Sequence, residues 1–484
     1  MEKENYVPYK GGNVTTDSRK ISEGQIFFAL KGENFDGSQF AVSAIKQGAS
    51  CAVVNKDSDL GQCILSGQFD ELVEDESSKI ILVDDTLQAL RLYATEHRNN
   101  FDIPIIALTG TNGKTTTKEL IRAVLSTKYN VAATEGNLNN NIGVPLTLFS
   151  INEKTEIAVI EMGASHPGDI KVNVNLVRPT HGLITNVGIA HIQGFKSFDG
   201  VKKTKGELYD YLDTNEGISF INADNEDLIM MAKERNNITQ IFYGQKYQNV
   251  IIEEVTEEHP YLRMKVKEPI ESTSMSMFKS KKEYSIDSHL IGTYNADNIL
   301  AALAVGKAFG ISYKASVKAI NNYKPSNHRS ELRKTEKNLL VIDAYNANPS
   351  SMALSIENFA NTNFKNKTLI LGDMRELGDD SIQEHIKILN QIARLSIDGI
   401  FCIGEEFVAA FEKMKKDKFE NNKEKNTKER YQEDSAIARL SNTVFFLKDV
   451  DKMLDALTKT PLLNKTILLK GSNSIHLDKL FPEL

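Results

Sequence analysis

The sequence predicts an α/β protein of three domains: a small N-terminal α/β domain, a central domain with a mostly parallel sheet and a phosphate loop, and a C-terminal Rossmann-like α/β domain. Three observations predict it. The chain has 484 residues, well beyond the roughly 250 to 300 at which a single core stops growing. Short apolar runs alternate with helix-periodic segments along most of its length, the pattern of repeated βα units. One of those runs empties into a glycine-rich turn that opens a helix.

Taken in order, Val14 to Asp85 carries the apolar runs IFFAL, CAVV and IILV, separated by Gly, Asp and Asn, with one helical stretch at FAVSAIKQGA. This is the first domain, residues 1–97. The helical segment TLQALRLYATEHRNN then leads into FDIPIIALTGTNGKTTT, and a second domain runs over residues 98–322. There EIAVIEMG, HGLITNVG and GISFINAD each precede a polar or helical connection, which implies parallel strands. The stretch from Lys246 to Ser288 is rich in β-branched and charged residues and predicts an antiparallel excursion. After the polar linker NNYKPSNHRSE, the strands LLVIDAYNANP, TLILGDM, GIFCIGEE, TVFFLKD and TILLKGS build a third domain, residues 323–484. The charged run KKDKFENNKEKNTKER near residue 420 has almost no apolar content and reads as an exposed helix or insertion.

Composition narrows the function. With 40% hydrophobic residues, 25% charged residues and a net charge of -7, no basic surplus points to nucleic acid. Three cysteines, Cys51, Cys63 and Cys402, are too few for a disulfide framework or a thiolate metal site, which suits a reducing, cytoplasmic setting. The N-terminus lacks the apolar stretch of a signal peptide, and no run of about 18 apolar residues occurs, so neither export nor membrane insertion is expected.

The strand of Ile105, Ile106, Ala107 and Leu108 enters Gly110, Thr111, Asn112, Gly113, Lys114, Thr115 and Thr116, after which helical spacing begins. Glycines let backbone N–H groups turn inward around phosphate oxygens, the helix N-terminus adds partial positive charge, and Lys114 supplies a full one. Leu108 stands where the longer G-x4-G-K-[ST] pattern wants glycine, so the match is to a shorter G-T-N-G-K-T-T form. Thr115 is placed to bind Mg²⁺, and Glu161, at the end of EIAVIEMG, is a second candidate ligand. His191, in IAHIQGF, follows a third strand end, where a parallel sheet collects its ligands. On spacing alone Lys205, in KKTKGELYD, reads as a solvated helix lysine.

Together these residues resemble the Mur ligase family, over essentially the whole chain. TGTNGKTT resembles its ATP loop, EMGASHPGDI and NVGIAHIQGF its magnesium-binding segments, and KTKGE the segment whose lysine is carbamylated. LIGTYNADNILAA resembles its adenine-contacting motif, with Asn295 and Asn298 on the motif's asparagines and Tyr294 where histidine is common. By itself that stretch would be an ordinary amphipathic helix start capped by asparagine. DSRKISEGQIFFALKGENFDG resembles the family's uridine-nucleotide domain and implies that Ser18, Arg19 and Asp36 lie near UDP. EGNLNNNIGVP resembles the segment that meets the muramoyl peptide, implying contacts from Asn137, Asn139, Asn140 and Asn141.

VIDAYNANPSSM, with LGDMRELG beyond it, resembles the motif of the family branch that adds D-alanyl-D-alanine. Asp343, Tyr345, Asn346, Asn348 and Pro349 match that motif, whereas Ile342 replaces its first aspartate. Arg329 in NHRSE and Lys470 in LLKGS match basic residues expected near the γ-phosphate.

The resemblance implies an ATP- and Mg²⁺-dependent, monomeric ligase. It would activate the carboxylate of UDP-N-acetylmuramoyl-tripeptide as an acyl phosphate and join it to D-alanyl-D-alanine. Lys114, Lys205 (as a carbamate), Arg329 and Lys470 would be the catalytic residues; ATP would meet residues 110–116, Asn295, Asn298, Arg329 and Asp343. The dipeptide would meet Tyr345, Asn346 and Asn348, and metal ions Thr115, Glu161, His191 and the Lys205 carbamate. The competing readings are a tripeptide-forming or folylpolyglutamate-type ligase, which amino-acid-dependent phosphate release would reveal, and a phosphate-loop switch, whose ATP hydrolysis would ignore any UDP-muramoyl peptide.

Overall fold

The computed structural model describes residues 3–32, 35–67, 77–189, 192–268, 282–325, 331–420 and 436–484. His191, Arg329 and the part of the charged run beyond residue 420 lie outside the described residues.

The first domain is built on four parallel strands, β1 (Val14–Thr15), β2 (Ile26–Phe28), β3 (Cys51–Asn55) and β4 (Ile80–Val83), in that spatial order. Phe27 and Phe28 point to opposite faces, so both sides of the sheet are buried. The helix α1 (Thr86–Asn99) starts where the Asp85 carboxylate accepts from Leu87 N and Gln88 N. It ties the first domain to the second: His97 Nε2 meets Ile151 O at 2.9 Å, and Arg98 Nε donates to Val177 O at 3.0 Å.

The central sheet has six parallel strands: β5 (Ile105–Thr109), β6 (Val131–Ala133), β7 (Ile157–Glu161), β8 (His181–Ile184), β9 (Ile218–Asn222) and β10 (Thr239–Tyr243). Their spatial order is β10-β9-β8-β5-β7-β6. From β5 the chain goes to the edge strand β6, returns to β7 between them, and then crosses to β8 on the other side of β5. The loop after β5 therefore opens at a topological switch point, where such sheets bind ligands. Ile106 and Leu108 of β5 face one core and Ile105 and Ala107 the other. Helices α2 (Lys114–Leu125), α3 (Asp169–Val177) and α4 (Phe198–Thr214) cover the sheet.

The antiparallel excursion is present as β11 (Ile251–Ile252), β12 (Arg263–Lys267) and β13 (Glu283–Asp287), with Met264 facing Ile286 across the ladder. The helix α5 (Asn295–Ala308) departs from expectation. Ten of its fourteen residues are buried, so it is a core helix rather than an amphipathic one, and the capping position falls on Tyr294, with Asn295 already in the first turn. Its apolar residues Leu300 and Leu303 pack into the same core as Leu120 and Val124 of α2.

The third domain contains β14 (Glu331–Lys334), β15 (Leu339–Asp343), β16 (Lys367–Gly372), β17 (Gly399–Ile403), β18 (Val444–Leu447) and β19 (Thr466–Lys470). The order is β14-β15-β19-β16-β17-β18, parallel except at the edge strand β14. Asp343 and Lys470 end adjacent strands in register. The helix α6 (Pro349–Ala360) begins with Pro349 in the first turn and a reciprocal cap between Asn348 and Ser351.

Candidate functional site at the junction of two domains

A cavity of about 760 Å³ opens between the carboxyl edges of the central and third sheets. Its central-domain wall is the phosphate loop. Gly110 has φ +148° and a side chain there would run into Thr185 Oγ1, while Gly113 has φ +77° and faces the Asn298 amide. Gly113 is also the cap of α2 and leaves its first N–H groups without a side-chain acceptor, the arrangement that receives an anion.

The segment after β8 clamps the loop. Asn186 accepts from Asn112 N at 3.0 Å and donates to Asn112 O at 3.0 Å, Thr185 Oγ1 donates to Asn112 O at 2.7 Å, and Gly188 N donates to Thr111 Oγ1 at 2.9 Å. Lys114, half-buried, bends back so that Nζ donates to Gly110 O and Thr111 O at 2.8 and 3.0 Å.

Behind the loop Thr115 Oγ1 donates to Glu161 Oε1 at 3.1 Å, and Asn139 Nδ2 donates to the same oxygen at 2.8 Å. Glu161 is buried rather than solvated, and its Oε2 has no hydrogen bond. A buried carboxylate oxygen and a hydroxyl side by side at a phosphate loop are hard oxygen donors of the kind Mg²⁺ takes, so these residues fit the ion. Asn137, Asn140 and Asn141 continue this rim of the cavity; Asn140 Oδ1 accepts from Gly143 N at 2.8 Å.

Lys205 is not on a solvated face. It is 3% exposed, lines the cavity and lies 5.9 Å from the Phe195 ring centre. Val201, Thr204, Lys205 and Leu208 form the inward stripe of α4, while Lys203 is exposed. Burial, and then the nearby Lys114 cation, hold the Lys205 amine well below the ordinary lysine range.

Asn295 and Asn298 reach the cavity, with much of their hydrogen bonding turned inward. Asn295 Nδ2 donates to Ile291 O at 2.7 Å, Asn298 Nδ2 donates to Asn295 Oδ1 at 2.8 Å, and Thr117 Oγ1 donates to Asn298 Oδ1 at 3.0 Å. The pair therefore braces α5 against α2.

The opposite wall carries Asp343, Tyr345, Asn346, Asn348 and Lys470. Lys470 is almost fully buried; its Nζ lies 2.7 Å from Asp343 Oδ2 and 3.4 Å from Asn346 O. The two domains touch directly: Asn348 Nδ2 donates to Asn112 Oδ1 at 3.0 Å, and Ser350 Oγ donates to Ile189 O at 3.1 Å.

Ser18, Arg19 and Asp36 do not join this cavity. They sit in the first domain, where Arg19 forms an exposed ion pair with Asp17 at 2.8 Å and Asp36 Oδ1 accepts from Ser38 N at 2.9 Å. Two contributors escaped the sequence reading. Asn186 was visible only as an asparagine in a strand-end turn, and Lys118 as a helix lysine one turn beyond Lys114, yet Lys118 is wholly buried beneath Glu161.

A phosphate loop with buried oxygen donors behind it faces, across one cavity, a second wall on which Lys470 is paired with Asp343, and the comparisons with known proteins make this site that of an ATP-dependent amide-forming ligase. Family models for the Mur ligase catalytic domain, the Mur ligase middle domain and the Mur ligase glutamate ligase domain match residues 12–98, 108–306 and 328–473. The chain belongs to the Mur ligase family. It is similar to the UDP-N-acetylmuramoyl-tripeptide–D-alanyl-D-alanine ligase of Bacillus subtilis, at 35% identity over 396 residues, 81% of this chain and 80% of that one. Two solved structures share its fold. The MurF of Acinetobacter baumannii has a TM-score of 0.77 at 24% identity, with 97% of this chain and 92% of that one covered. The MurF ligase of Thermotoga maritima, in complex with ADP, has a TM-score of 0.74 at 22% identity, with 97% and 96% covered.

Proposed function

We propose that this chain joins D-alanyl-D-alanine to UDP-N-acetylmuramoyl-tripeptide with conversion of ATP to ADP and phosphate. The observation that carries the reading is the single cavity in which the phosphate loop of one domain faces the DAYNANP wall of the next. The relatives named for this reaction support the choice of substrates. A carboxylate does not condense with an amine in water, so the tripeptide's terminal carboxylate oxygen attacks the γ-phosphorus of ATP, and ADP leaves. The dipeptide amine then attacks the acyl carbon, phosphate departs with the C–O electron pair, and the proton released from the nitrogen passes to the departing phosphate or to solvent.

In phosphoryl transfer a protein mainly positions groups and neutralises charge. Lys114 and the N–H groups of α2 hold the phosphates. Arg329 and Lys470 bring positive charge from the third domain. Thr115, Glu161, His191 and a carbamate on Lys205 would hold Mg²⁺, which supplies charge neutralisation at the phosphoryl oxygens. Contact between Asn348 and Asn112 closes one domain on the other and shields a hydrolysable acyl phosphate from water.

The division of labour follows the domains. Residues 1–97, with Ser18, Arg19 and Asp36, take the UDP end; residues 98–322 take ATP and, through Asn137, Asn139, Asn140 and Asn141, the muramoyl peptide. Residues 323–484, with Tyr345, Asn346 and Asn348, take the dipeptide. A cytoplasmic location belongs to this proposal, supported by the absence of a disulfide among the three cysteines.

The test is phosphate release from ATP with UDP-muramoyl tripeptides carrying either lysine or diaminopimelate at position three, with and without D-alanyl-D-alanine. Release that requires both tripeptide and dipeptide is expected. Release stimulated by a diamino acid with UDP-muramoyl dipeptide, by glutamate with folate, or by neither would overturn the proposal.

A further inference from the structure

A substrate whose UDP end sits on the first domain and whose carboxylate reacts at the phosphate loop has to cross the junction between those two domains. We propose that Arg91 and Asn173, at that junction, bind a carboxylate of the UDP-muramoyl tripeptide other than the one that reacts. This rests on the ligase reading above and assigns within it a recognition group for the acceptor peptide.

Arg91 belongs to α1, the helix that joins the first domain to the second. Helical spacing puts Arg91, Ala94 and Arg98 on one face of it. Ala94 packs in the same core as Ile170 and Val174 of α3, so this face is the one turned to the central domain. Arg98 closes one end of the contact by donating to Val177 O, at the last turn of α3. Arg91 stands at the other end, where it lines the cavity and feels the charge of Asp169 at the first turn of α3.

The half-buried Arg91 guanidinium makes no ion pair among the described residues, and its buried Nε has no hydrogen bond. The two carboxylates that act on it from farther away have other tasks. Asp85 accepts from Leu87 N and Gln88 N at the start of α1, and Asp169 Oδ2 accepts from Ser165 N and His166 N at 2.8 Å each. Burial pulls the Arg91 pKa below the usual arginine value, and Asp85 and Asp169 oppose this in part. The group still carries its charge at neutral pH, and its planar fork matches a carboxylate through two parallel hydrogen bonds. A partly desolvated cation gains most from such a partner.

Asn173 is an independent sign of a ligand. It lies one turn beyond Asp169 on α3, is 4% exposed and lines the same cavity, and its side chain makes no hydrogen bond among the described residues. A buried amide with nothing to donate to is a cost that a bound acceptor would remove. The two packed helices thus bring a guanidinium and an amide to one end of the cavity, both donors. The tripeptide has acceptors to offer them. A diaminopimelyl residue at position three keeps one carboxylate when the other is activated, a lysyl residue keeps none, and an acidic residue earlier in the peptide supplies one to either tripeptide.

The test is calorimetric binding to the full chain of UDP, of the lysyl UDP-tripeptide and of the diaminopimelyl UDP-tripeptide. Arg91→Gln is expected to weaken tripeptide binding about tenfold or more, as loss of a hydrogen bond to a charged group does, while affinity for UDP stays within about twofold. Arg91→Lys is expected to recover part of the loss. Equal weakening of both tripeptides would assign the carboxylate to an earlier residue, and weakening confined to the diaminopimelyl form would assign it to position three. Asn173→Ala is expected to weaken the same tripeptide with no fall in melting temperature, because the amide it removes has no partner in the unliganded fold. Unchanged tripeptide affinity in Arg91→Gln would overturn the proposal, as would equal weakening of UDP, which would place the contact on the diphosphate. A fall of more than a few degrees in the melting temperature of Asn173→Ala would make that residue structural and remove it from the site. A wild-type chain that binds neither tripeptide would instead overturn the ligase reading beneath.

Discussion

Lys118 Nζ lies 4.0 Å from Glu161 Oε2, and both side chains are shut off from solvent. Lys118 also pairs with Glu119 at 2.9 Å and donates to Thr134 O. A charged carboxylate is costly to bury alone, so the cation under the phosphate loop is part of what allows Glu161 to wait there. Removing one partner of a buried pair costs about 3 kcal/mol or more. Lys118→Met is therefore expected to lower unfolding free energy by about 3 kcal/mol in urea titrations, and Glu161→Gln added to it to restore part of the loss. A single-variant loss under about 1 kcal/mol would show that the two charges are not coupled.

Lys114→Ala removes the cation from the phosphate position while leaving the fold. The half-buried side chain donates to its own loop's carbonyls at Gly110 and Thr111 and is not part of a hydrophobic core. Turnover is expected to fall by about 10² or more with the melting temperature within a few degrees of wild type. Near-normal turnover would remove the phosphate loop from the chemistry.

The three-domain layout, the phosphate loop and the antiparallel excursion were legible because period and turn chemistry are local. Ile105 to Leu108 alternate between two cores, and Gly110 and Gly113 occupy positive φ. What was not legible depends on which face of a helix another element covers. Lys205 and Lys118 look like solvated lysines in a polar context, and only the packing of α4 and α2 against the sheet buries them. Asn295 reads as a cap from its neighbours, but burial of α5 on all sides turns its amide inward toward Ile291. Asn186 clamps Asn112 across 74 positions of sequence, a distance over which no periodicity reports.

Asp343→Ala leaves Lys470, 1% exposed, without the carboxylate at 2.7 Å. Both residues lie on the third domain, so dipeptide addition is expected to slow about tenfold or more, while UDP-tripeptide affinity, read by calorimetry, stays within twofold. Equal loss of UDP-tripeptide affinity would contradict the assignment of substrates to separate domains.

His181, at the start of β8, lies against Phe220 and Phe309, and burial lowers its pKa to about 4. In the unfolded chain it titrates near 6.5. Between these values the unfolded state binds a proton that the folded state refuses, so stability falls as pH drops from about 6.5 towards 4. The residue keeps some solvent contact, which limits the loss to about 2 kcal/mol. His181→Phe is expected to flatten the melting-temperature profile over that window. An unchanged slope would place the acid sensitivity elsewhere.

Lys205 is expected to carry a carbamate, formed when CO₂ adds to its amine and the proton leaves. Only the neutral amine reacts, and an ordinary lysine, with a pKa near 10.4, is almost entirely protonated at neutral pH. Burial and the Lys114 cation push the Lys205 amine down, which raises its reactive fraction. The product exchanges a cation for an anion with hard oxygens, the donor type Mg²⁺ prefers, and it answers the charge of Lys114. Lys203, the neighbouring lysine of the motif, is exposed and does not line the cavity. In CO₂-free buffer the unmodified amine is a liability at neutral pH. From its depressed value up to about 10.4 the unfolded chain holds a proton that the folded chain lacks, so stability rises with pH across that window. Adding bicarbonate is expected to raise both activity and melting temperature of the decarbonated wild type. Lys205→Ala is expected to lose most activity, to ignore bicarbonate, and to recover part of its turnover with formate or acetate, which return an anion to the space. Full activity of Lys205→Ala without any additive would end the idea.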